Sequence, residues 1–448
     1  MKVMFIPWGQ VTHYFFMVPL AWAFRAAGDE VRVASHPGAA DGIKRSGMSV
    51  TVVGDAYNFL AEQKKIIGDW RRGMTASSAT ADSRAFTLTP DRLEEGLSRD
   101  YLMRTLKRFL EPRLVPYTKA AQVMADDVVQ FARAWQPDLV VSDPLVMAAP
   151  LAARAAGAPL VHLQWGPAIQ RRAGQFPCNG ASPDLWPDDL RDLYARHGVE
   201  PAAEHAAATV DSCPAALQYD ETIPSRIPAR FVPYNGTGDA PRWLTEPPRR
   251  PRICVTWGTI TTIMGGREGF LVPRILDALA GFDVDVDVVV AITASDRPLL
   301  GDLPERVRVI ENLPLHLLLP SCDAIIHQGG ASTMLTAASF ALPQLLVPTM
   351  ADQLANAERI AAAGAGVSLK WADASTETIT ADIKTIVSDQ ATRQAARSLG
   401  DEIHAQPAPA AIAAALRQLT TRRQAASAGQ ARRAAGSGLA ALKGYRKD

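Results

Sequence analysis

Short apolar runs alternate with amphipathic segments along most of the chain. Runs such as KVMFI, VVVAIT and DAIIH are apolar at consecutive positions, which is typical of parallel strands covered on both faces. The intervening segments 15–27, 144–156, 376–388 and 409–419 have helical spacing. Strands are predicted at 2–6, 31–35, 50–53, 138–142, 160–163, 231–234, 252–257, 286–292, 307–310, 323–327 and 344–347. This βαβ order predicts an α/β protein with two doubly wound, Rossmann-like parallel-sheet domains that face each other across a cleft.

The predicted strands fall into two series, separated by a stretch rich in Pro, Gly, Thr and Arg that has the composition of a linker. Between the early strands lies a long segment, 55–135, which is predicted to be largely helical and irregular at 68–100. The predicted organisation is an N-terminal domain (1–235), a linker (236–251), a C-terminal domain (252–405), a final helix (406–420) that packs back on the N-terminal domain, and a disordered tail (421–448).

Composition narrows the class of function. The chain has 448 residues and a net charge of only +1, so its charge does not favour binding to nucleic acid or to an acidic membrane surface. The four cysteines form no CxxC pair, which favours a reduced, cytoplasmic protein. Residues 1–27 fit a buried strand and helix better than a signal peptide, and no apolar run reaches the length of a membrane span. Walker A and GxSxG motifs are absent, which argues against kinases and serine hydrolases.

A candidate phosphate site follows the strand DAIIH. The strand ends at His327 and opens into Gly329 and Gly330, after which a helix carries Ser332 and Thr333. Glycines allow close backbone approach, and the first turn of a helix offers free N–H groups and a partial positive charge. The alternative is an ordinary β-turn-α unit with a capping serine.

A second candidate group lies one strand further along. The predicted strand 344–347 leads into a loop that ends at Asp352 and Gln353, which place a carboxylate beside a carboxamide. Ligands of open α/β sheets bind at the carboxyl ends of strands. One crevice is therefore predicted to hold both a phosphate cradle and a pair suited to sugar hydroxyls.

The N-terminal half carries a candidate acid–base pair. His13 ends a predicted loop, 7–13, after the first strand, and Asp143 follows the strand DLVVS. A carboxylate at the same sheet edge would fix the imidazole tautomer and stabilise its charged form, so that the ring could act as a general base. The alternatives are a solvated or capping His13 and an Asp143 that caps the helix 144–156.

One motif is interpreted as a decoy. Asp283, Asp285 and Asp287 resemble the DxD metal motif, yet they directly precede an apolar strand. Alternating acids at a strand start are more simply side chains that face solvent. The phosphate cradle is expected to need no metal, so no metal site is predicted.

The motifs around the two candidate groups carry a family resemblance. His327-x-Gly-Gly, Ser332-Thr333 and Pro348-x-x-x-Asp352-Gln353 resemble the donor signature of family 1 nucleotide-sugar glycosyltransferases of the GT-B fold. The stretches MVPLAWAFRAAGDEVRVASHP, LQWGPAIQRR, FVPYNGTGDAPRWL and ENLPLHLLLPSCD look like the glycosyltransferases of actinobacterial polyketide antibiotics, which use dTDP-deoxysugars. The likeness covers about residues 1–420 and is weakest at 55–135. Two departures are Asp29, where His is common, and Ala331, where Gly is common.

The resemblance implies an inverting hexosyltransferase of antibiotic biosynthesis, with His13 as general base and Asp143 as its partner. It implies no cofactor, because the nucleotide sugar is a substrate. In some relatives a cytochrome P450-like auxiliary protein docks on the N-terminal helices, and a homodimer is also compatible with the sequence. The implied donor contacts are Thr259, Leu313, Pro314, His327, Gly329, Gly330, Ser332, Thr333, Asp352 and Gln353, and the implied acceptor contacts are Trp8 and Trp165.

Two other functions stay open at this point. An epimerase of the same fold would use the donor site without an aglycone. A non-catalytic auxiliary protein would stabilise a partner transferase. The variable segment 55–135 and the pair of His13 and Asp143 favour the transferase.

Overall fold

The structure is a computed structural model that describes residues 1–54, 57, 58, 60–65, 99–174, 176–219, 223–282, 284–304, 306–423 and 425. Its strands belong to two all-parallel sheets, as the sequence predicts. The first sheet comprises β1 (Lys2–Ile6), β2 (Glu30–Ser35), β3 (Val50–Val52), β4 (Leu139–Ser142), β5 (Leu160–Gln164), β6 (Ala208–Asp211) and β7 (Arg226–Pro228). The second comprises β8 (Arg252–Thr256), β9 (Asp287–Ile292), β10 (Val307–Glu311), β11 (Ala324–His327), β12 (Gln344–Leu346) and β13 (Gly366–Ser368).

Strand order places a switch point at the centre of each sheet. The first sheet runs β3-β2-β1-β4-β5-β6-β7, and the second runs β10-β9-β8-β11-β12-β13. The chain therefore changes direction between β1 and β4 and again between β8 and β11. In doubly wound sheets the ligand crevice opens at the carboxyl ends of these two strands.

Helices cover both sheets. They are α1 (Val11–Phe15), α2 (Val18–Ala26), α3 (Pro37–Arg45), α4 (Arg99–Trp135), α5 (Ala149–Ala156), α6 (Asp188–Arg196), α7 (Thr261–Gly265), α8 (Val272–Ala280), α9 (Leu315–Leu318), α10 (Ala331–Ser339), α11 (Ala351–Ala362), α12 (Thr376–Ser388), α13 (Gln390–Ala405) and a final helix, α14, at 409–423. No helix in the described part of the chain is both long and apolar enough to cross a bilayer.

Alternation along β1 shows how the first sheet is covered. Met4 and Ile6 pack into one hydrophobic cluster, whereas Val3 and Phe5 pack into another on the opposite face. Successive side chains of a strand point to opposite faces, so each face of the sheet needs its own apolar layer. This two-sided burial explains why the strands are apolar at consecutive positions.

The final helix packs on the first sheet. Ile412 and Leu416 lie in the same cluster as Phe5, and the Arg417 Nε donates to the Asp29 Oδ2 at 2.9 Å. The Met1 amino group donates to the other oxygen of Asp29, also at 2.9 Å. Asp29, a departure from the family pattern, therefore ties the two ends of the described chain together.

The connection between the two sheets contains no described strand. Trp243 lies between the guanidinium groups of Arg252 and Arg308, whose central carbons are 4.9 and 4.3 Å from its ring centroid. Gly238 packs on Pro314, where a Cβ would stand only 2.5 Å from the proline Cδ. The connection is thus held against the second domain.

Three expectations about local structure are wrong. Residues 231–234 are not a strand, because Phe231 instead packs as part of an extended connection, with its ring centroid 5.6 Å from that of Phe16. The predicted loop 7–13 ends early, since α1 begins at Val11 and includes His13. The predicted tail also begins too early, because residues 421–423 continue the final helix; residues 424 and 426–448 lie outside the described residues.

Sequence reasoning also missed several elements. Strands β6, β7 and β13 are short, at four, three and three residues, and helix α13 carries few large apolar side chains. Most of the predicted irregular stretch 68–100 lies outside the described residues, and α4 begins at Arg99.

Candidate active site

His13 and Asp143 meet at the switch point of the first sheet. Asp143 directly follows β4, and its backbone N–H donates to the Ile6 carbonyl at the end of β1. The His13 Nδ1 lies 2.7 Å from the Asp143 Oδ2. The other carboxylate oxygen accepts from the Leu145 N–H at 2.8 Å. Asp143 is 1% exposed and the His13 side chain 19%, so the carboxylate is held rigidly behind a ring that solvent reaches.

This geometry sets the tautomer of His13. An ionised carboxylate only accepts hydrogen bonds, so Nδ1 carries the hydrogen and Nε2 is left with its lone pair. Asp143 also accepts from the Leu145 N–H in the turn after β4. The predicted helix 144–156 begins only at Ala149, with Ala148 as its N-cap, so the alternative that Asp143 caps this helix is wrong.

One aromatic ring contacts His13 directly. The Trp165 ring meets the His13 ring edge-on at 5.1 Å between centroids, and Trp8 packs on Tyr117 at 5.3 Å. Trp8 is 3% exposed and Trp165 8%, so both lie mostly in the core. Their contact with an acceptor stays a prediction.

Tyr117 is a site residue that sequence reasoning missed. It lies on α4, and burial raises its pKa, with further increases from the negative charges of Asp352 and Asp143. One phenol is therefore close to a carboxylate from each domain. The weak periodicity of the segment 55–135 gave no signal that would have singled it out.

The HxGG turn lies at the switch point of the second sheet. Gly329 has a φ of +97°, and a Cβ there would stand 2.8 Å from the Gln353 carbonyl oxygen. Its N–H donates to the His327 Nδ1 at 3.0 Å, and its carbonyl accepts from the Asn356 Nδ2 at 2.8 Å. Gly330 then forms the N-cap of α10. The turn is fixed from both sides, and only glycine fits at position 329.

The buried side chain of His327 supports this turn from the protein interior. It is completely buried, and its Nε2 lies 2.9 Å from the Gln344 Oε1. Burial lowers the pKa of His327 to about 4, so the ring is neutral near pH 7. Both ring nitrogens already have protein partners. The prediction that His327 binds the pyrophosphate directly is therefore not supported, and the residue instead fixes the Gly329 backbone. The Gly329 N–H is occupied by this bond, so its predicted contact with the pyrophosphate is not supported either.

Gln353 also has a different role from the one predicted. Its Oε1 accepts from the Thr349 N–H and Oγ1, each at 3.0 Å, and from the Met350 N–H at 3.3 Å. Its Nε2 donates to the Thr261 Oγ1 at 3.4 Å. The carboxamide closes the N-terminus of α11 as a cap. Its oxygen is occupied and the residue is only 2% exposed, so the predicted bond to a sugar hydroxyl is not supported.

Asp352 lies in the first turn of the same helix and is half-buried. Burial raises its pKa, whereas backbone N–H groups and the charge of His13 lower it. His13 and Asp352 come from different domains, so their electrostatic interaction places the two candidate groups across one crevice. A carboxylate at a helix N-terminus is also favoured by the helix dipole.

The remaining predicted donor residues surround the turn. The Ser332 Oγ accepts from the Asn235 Nδ2 at 3.1 Å, which leaves its own hydrogen for a ligand. Thr333 is buried in α10, Thr259 is exposed beyond β8, and Leu313 and Pro314 precede α9. The ligand contacts of these residues stay predictions.

A polar clamp joins the helix that carries Asp352 to the N-terminal domain. The Arg359 Nε and Nη2 donate to the carbonyls of Leu217 and Ala216, at 3.2 and 2.9 Å. The guanidinium groups of Arg172 and Arg359 lie 4.5 and 5.4 Å from the Tyr219 ring centroid. The clamp fixes where Asp352 stands relative to His13.

Other residues of this frame were also missed from the sequence. Asn356 follows Asp352 by four positions, so a DxxxN spacing on one helix face was the available signal. Gln344 and Asn235 carried no such signal, because only tertiary packing brings them to the turn.

Asp285 is exposed, as expected for an acid that faces solvent before a strand. Asp285 pairs with Arg250 at 2.8 Å, and Asp287 opens β9. Asp283 lies outside the described residues. Among those that are described, no group of three or more His, Cys, Asp or Glu side chains could hold a metal ion. The four cysteines are free and buried.

Two doubly wound domains, joined through a short connection and facing each other at their switch points, form the GT-B architecture, and the chain is a glycosyltransferase of that class. It belongs to the erythromycin biosynthesis protein CIII-like family. The N-terminal domain model of that family matches residues 22–258 and the C-terminal domain model matches residues 273–419. The resemblance drawn from the motifs is thereby confirmed.

Individual relatives span nearly the whole chain. The chain is 34% identical over 432 residues to 10-deoxymethynolide desosaminyltransferase of Streptomyces venezuelae, covering 94% of this chain and 97% of that protein. It is 35% identical over 446 residues to a TDP-daunosamine transferase of Streptomyces peucetius, covering 95% and 98%. The crystal structure of the glycosyltransferase VinC in complex with dTDP is similar with a TM-score of 0.74 and 30% identity, covering 94% of this chain and 100% of that one.

Proposed function

We propose that this glycosyltransferase moves a deoxysugar from a dTDP-sugar to a hydroxyl of a polyketide-type aglycone in antibiotic biosynthesis, with inversion at the anomeric carbon. The observation that carries the proposal is the 2.7 Å contact between His13 and Asp143. Asp352, on the opposite domain, interacts electrostatically with His13. The pair supplies a base on the acceptor side, and the first turn of α10, which follows the HxGG turn, supplies free N–H groups on the donor side.

His13 takes the proton in this mechanism. Its Nε2 accepts the hydrogen of the acceptor hydroxyl while the oxygen attacks the anomeric carbon. Asp143 stabilises the imidazolium that forms and keeps Nδ1 as the donor. The attack comes from the face opposite the diphosphate, so the configuration inverts.

The leaving group is stabilised by the second domain. The bond from the anomeric carbon to the diphosphate oxygen breaks, and negative charge grows on that oxygen. The N-terminal turn of α10, with the Ser332 and Thr333 hydroxyls, offers donors and a partial positive charge to it. These groups are fixed before the reaction by the bonds of Gly329 to His327 and Asn356.

The comparisons support the choice of substrates. A desosaminyltransferase and a daunosaminyltransferase are both similar over most of their lengths, and a similar structure holds dTDP. The names of these relatives favour a transferase over an epimerase or a non-catalytic partner. Trp165 and Tyr117 beside the pair are suited to a large, partly apolar acceptor.

The test is turnover with purified protein. It would be incubated with a panel of dTDP-deoxysugars and polyketide aglycones, with and without a P450-like auxiliary protein. Mass spectrometry would detect the product, and NMR would give its anomeric configuration. A product with inverted configuration is expected. Sugar isomerisation without acceptor would favour an epimerase, and a retained configuration would reject the mechanism.

The role of Asp352 can be separated from that of the phosphate turn. Asp352→Ala is expected to weaken an intact dTDP-sugar about tenfold, a loss of about 1.4 kcal/mol, because the carboxylate holds sugar hydroxyls. Free dTDP lacks those hydroxyls and should bind as before. Calorimetric titration with both ligands measures the difference. Glu358→Ala, an exposed change on the same helix, is the control. Equal weakening of both ligands would make Asp352 a helix cap.

Metal dependence gives another test. Activity in excess EDTA is expected to stay within about twofold of the control, which is about 0.4 kcal/mol in the barrier. The reason is that α10 and its hydroxyls provide the positive end for the diphosphate, while Asp285 is paired with Arg250. Loss of activity that Mg²⁺ or Mn²⁺ restores would contradict this expectation.

A further inference from the structure

Gln328, between His327 and Gly329, has no role in the site described so far. It is 5% exposed, and its Oε1 is buried with no hydrogen-bond partner among the residues that the structure describes. Buried carbonyl oxygens in folded proteins are almost always hydrogen-bonded, because an unsatisfied one costs free energy. An orphaned oxygen beside a ligand-binding turn points to a partner that arrives with the ligand.

The packing around Gln328 places its carboxamide between the ends of β8 and β11. A Cβ on Gly258, where φ is +68°, would stand 2.3 Å from the Gln328 Nε2. A Cβ on Gly330 would stand 3.1 Å from the same nitrogen. Glycines on both adjacent strand ends therefore make the space that this carboxamide fills. That space is the switch point itself, next to the first turn of α10.

Two nearby glutamines show what a structural role looks like. The Gln344 Oε1 bonds to His327, and its Nε2 donates to the Met334 carbonyl at 3.2 Å. The Gln353 Oε1 accepts from Thr349 and Met350. Both oxygens are satisfied within the protein, whereas that of Gln328 is not. Gln344 and Gln353 therefore stabilise the fold, whereas the Gln328 oxygen is available to a ligand.

We propose that Gln328 is a donor-binding residue whose Oε1 accepts a hydrogen bond from a hydroxyl of the nucleotide sugar. The inference rests on the proposed function. The partner must bring a hydrogen, which an ionised diphosphate lacks, so the diphosphate itself cannot satisfy this oxygen. Hydroxyls occur on two parts of the donor, the transferred sugar and the deoxyribose of the nucleoside. Either source has the required chemistry.

The main variant is Gln328→Met, which keeps the length of the side chain and removes the carboxamide. Gln344→Met is the matched control, because both the oxygen and the nitrogen of its carboxamide have protein partners. Without ligand, Gln328→Met is expected to unfold at the wild-type temperature or above, since it deletes an unsatisfied oxygen. Gln344→Met is expected to unfold at a lower temperature. A similar drop in both variants would assign Gln328 to the fold and overturn the inference.

Calorimetric titration with inorganic pyrophosphate, dTDP and a dTDP-sugar locates the hydroxyl. Gln328→Met is expected to bind the dTDP-sugar at least fivefold more weakly, with pyrophosphate unchanged. Weakening of dTDP to the same extent assigns the hydrogen-bond donor to the nucleoside, whereas unchanged dTDP assigns it to a hydroxyl of the transferred sugar. Wild-type affinity for both nucleotides would overturn the inference. Failure of the wild type itself to bind either nucleotide would reject the proposed function, and the inference with it.

Gln328→Glu independently tests whether the side chain at position 328 lies next to the diphosphate. It keeps an acceptor oxygen but brings a negative charge next to the first turn of α10. All three ligands, pyrophosphate included, are expected to bind at least tenfold more weakly because their diphosphate groups are repelled. Unchanged pyrophosphate affinity would show that Gln328 lies away from the diphosphate and would overturn the placement.

Discussion

Replacing His13 by Ala is expected to lower turnover by about a hundredfold or more, the usual range for loss of a general base. The His13 Nδ1 is bonded to Asp143 at 2.7 Å, and the ring lies at the switch point of the acceptor domain. Affinity for dTDP should change little, because the HxGG turn belongs to the other domain. Steady-state rates measure the first effect, and calorimetric titration with dTDP measures the second.

Asp143→Asn tests the same pair through its orientation. An asparagine can offer its N–H to Nδ1, which then becomes the acceptor and moves the hydrogen to Nε2. That tautomer cannot take a proton from the acceptor, so turnover should fall although the side chain has nearly the same size. Only acceptors that are not already ionised at the assay pH report on the base. Near wild-type rates in both variants would remove the pair from the mechanism.

The architecture was predictable from the chain because buried parallel strands are marked by continuous apolar runs. Runs such as those of β1, β9 and β11 gave their positions to within one residue. The strands β7, Arg-Ile-Pro, and β13, Gly-Val-Ser, were missed because each contains a single branched aliphatic residue and therefore no apolar run. Residues 231–234 have the composition of a strand, but Phe231 is buried by packing on Phe16 without strand pairing.

The site was predictable in its location more than in its individual bonds. Motifs at strand ends placed His13, Asp143 and the HxGG turn at the two switch points. Hydrogen-bond partners depend on tertiary contacts, so the sequence could not show that His327 bonds inward to Gln344. The same limit applied to Gln353, whose oxygen turns back to its own loop. A motif thus identified the element that binds without identifying which atoms face the ligand.

Gly329→Ala is expected to weaken dTDP by more than about tenfold, or about 1.4 kcal/mol. The new Cβ would stand 2.8 Å from the Gln353 carbonyl oxygen, in a backbone conformation with φ of +97° that alanine rarely adopts. The obstacle is backbone, so the turn must move. Movement breaks the bonds of residue 329 to His327 and Asn356 and misplaces the first turn of α10, whose free N–H groups are proposed to hold the diphosphate. Calorimetric titration with dTDP measures the loss.

Gly364→Ala is the matched control for this change. Gly364 also has a positive φ, +70°, but its nearest neighbour would be the Ala395 Cβ at 3.6 Å, an ordinary contact. Both variants should therefore lose about 1–2 kcal/mol of folding stability from the left-handed conformation. Gly329→Ala should lose more, because of the clash, and only it should lose dTDP affinity. If both variants bound dTDP like the wild type, the HxGG turn would not be the diphosphate site, and the donor would have to be held elsewhere in the crevice.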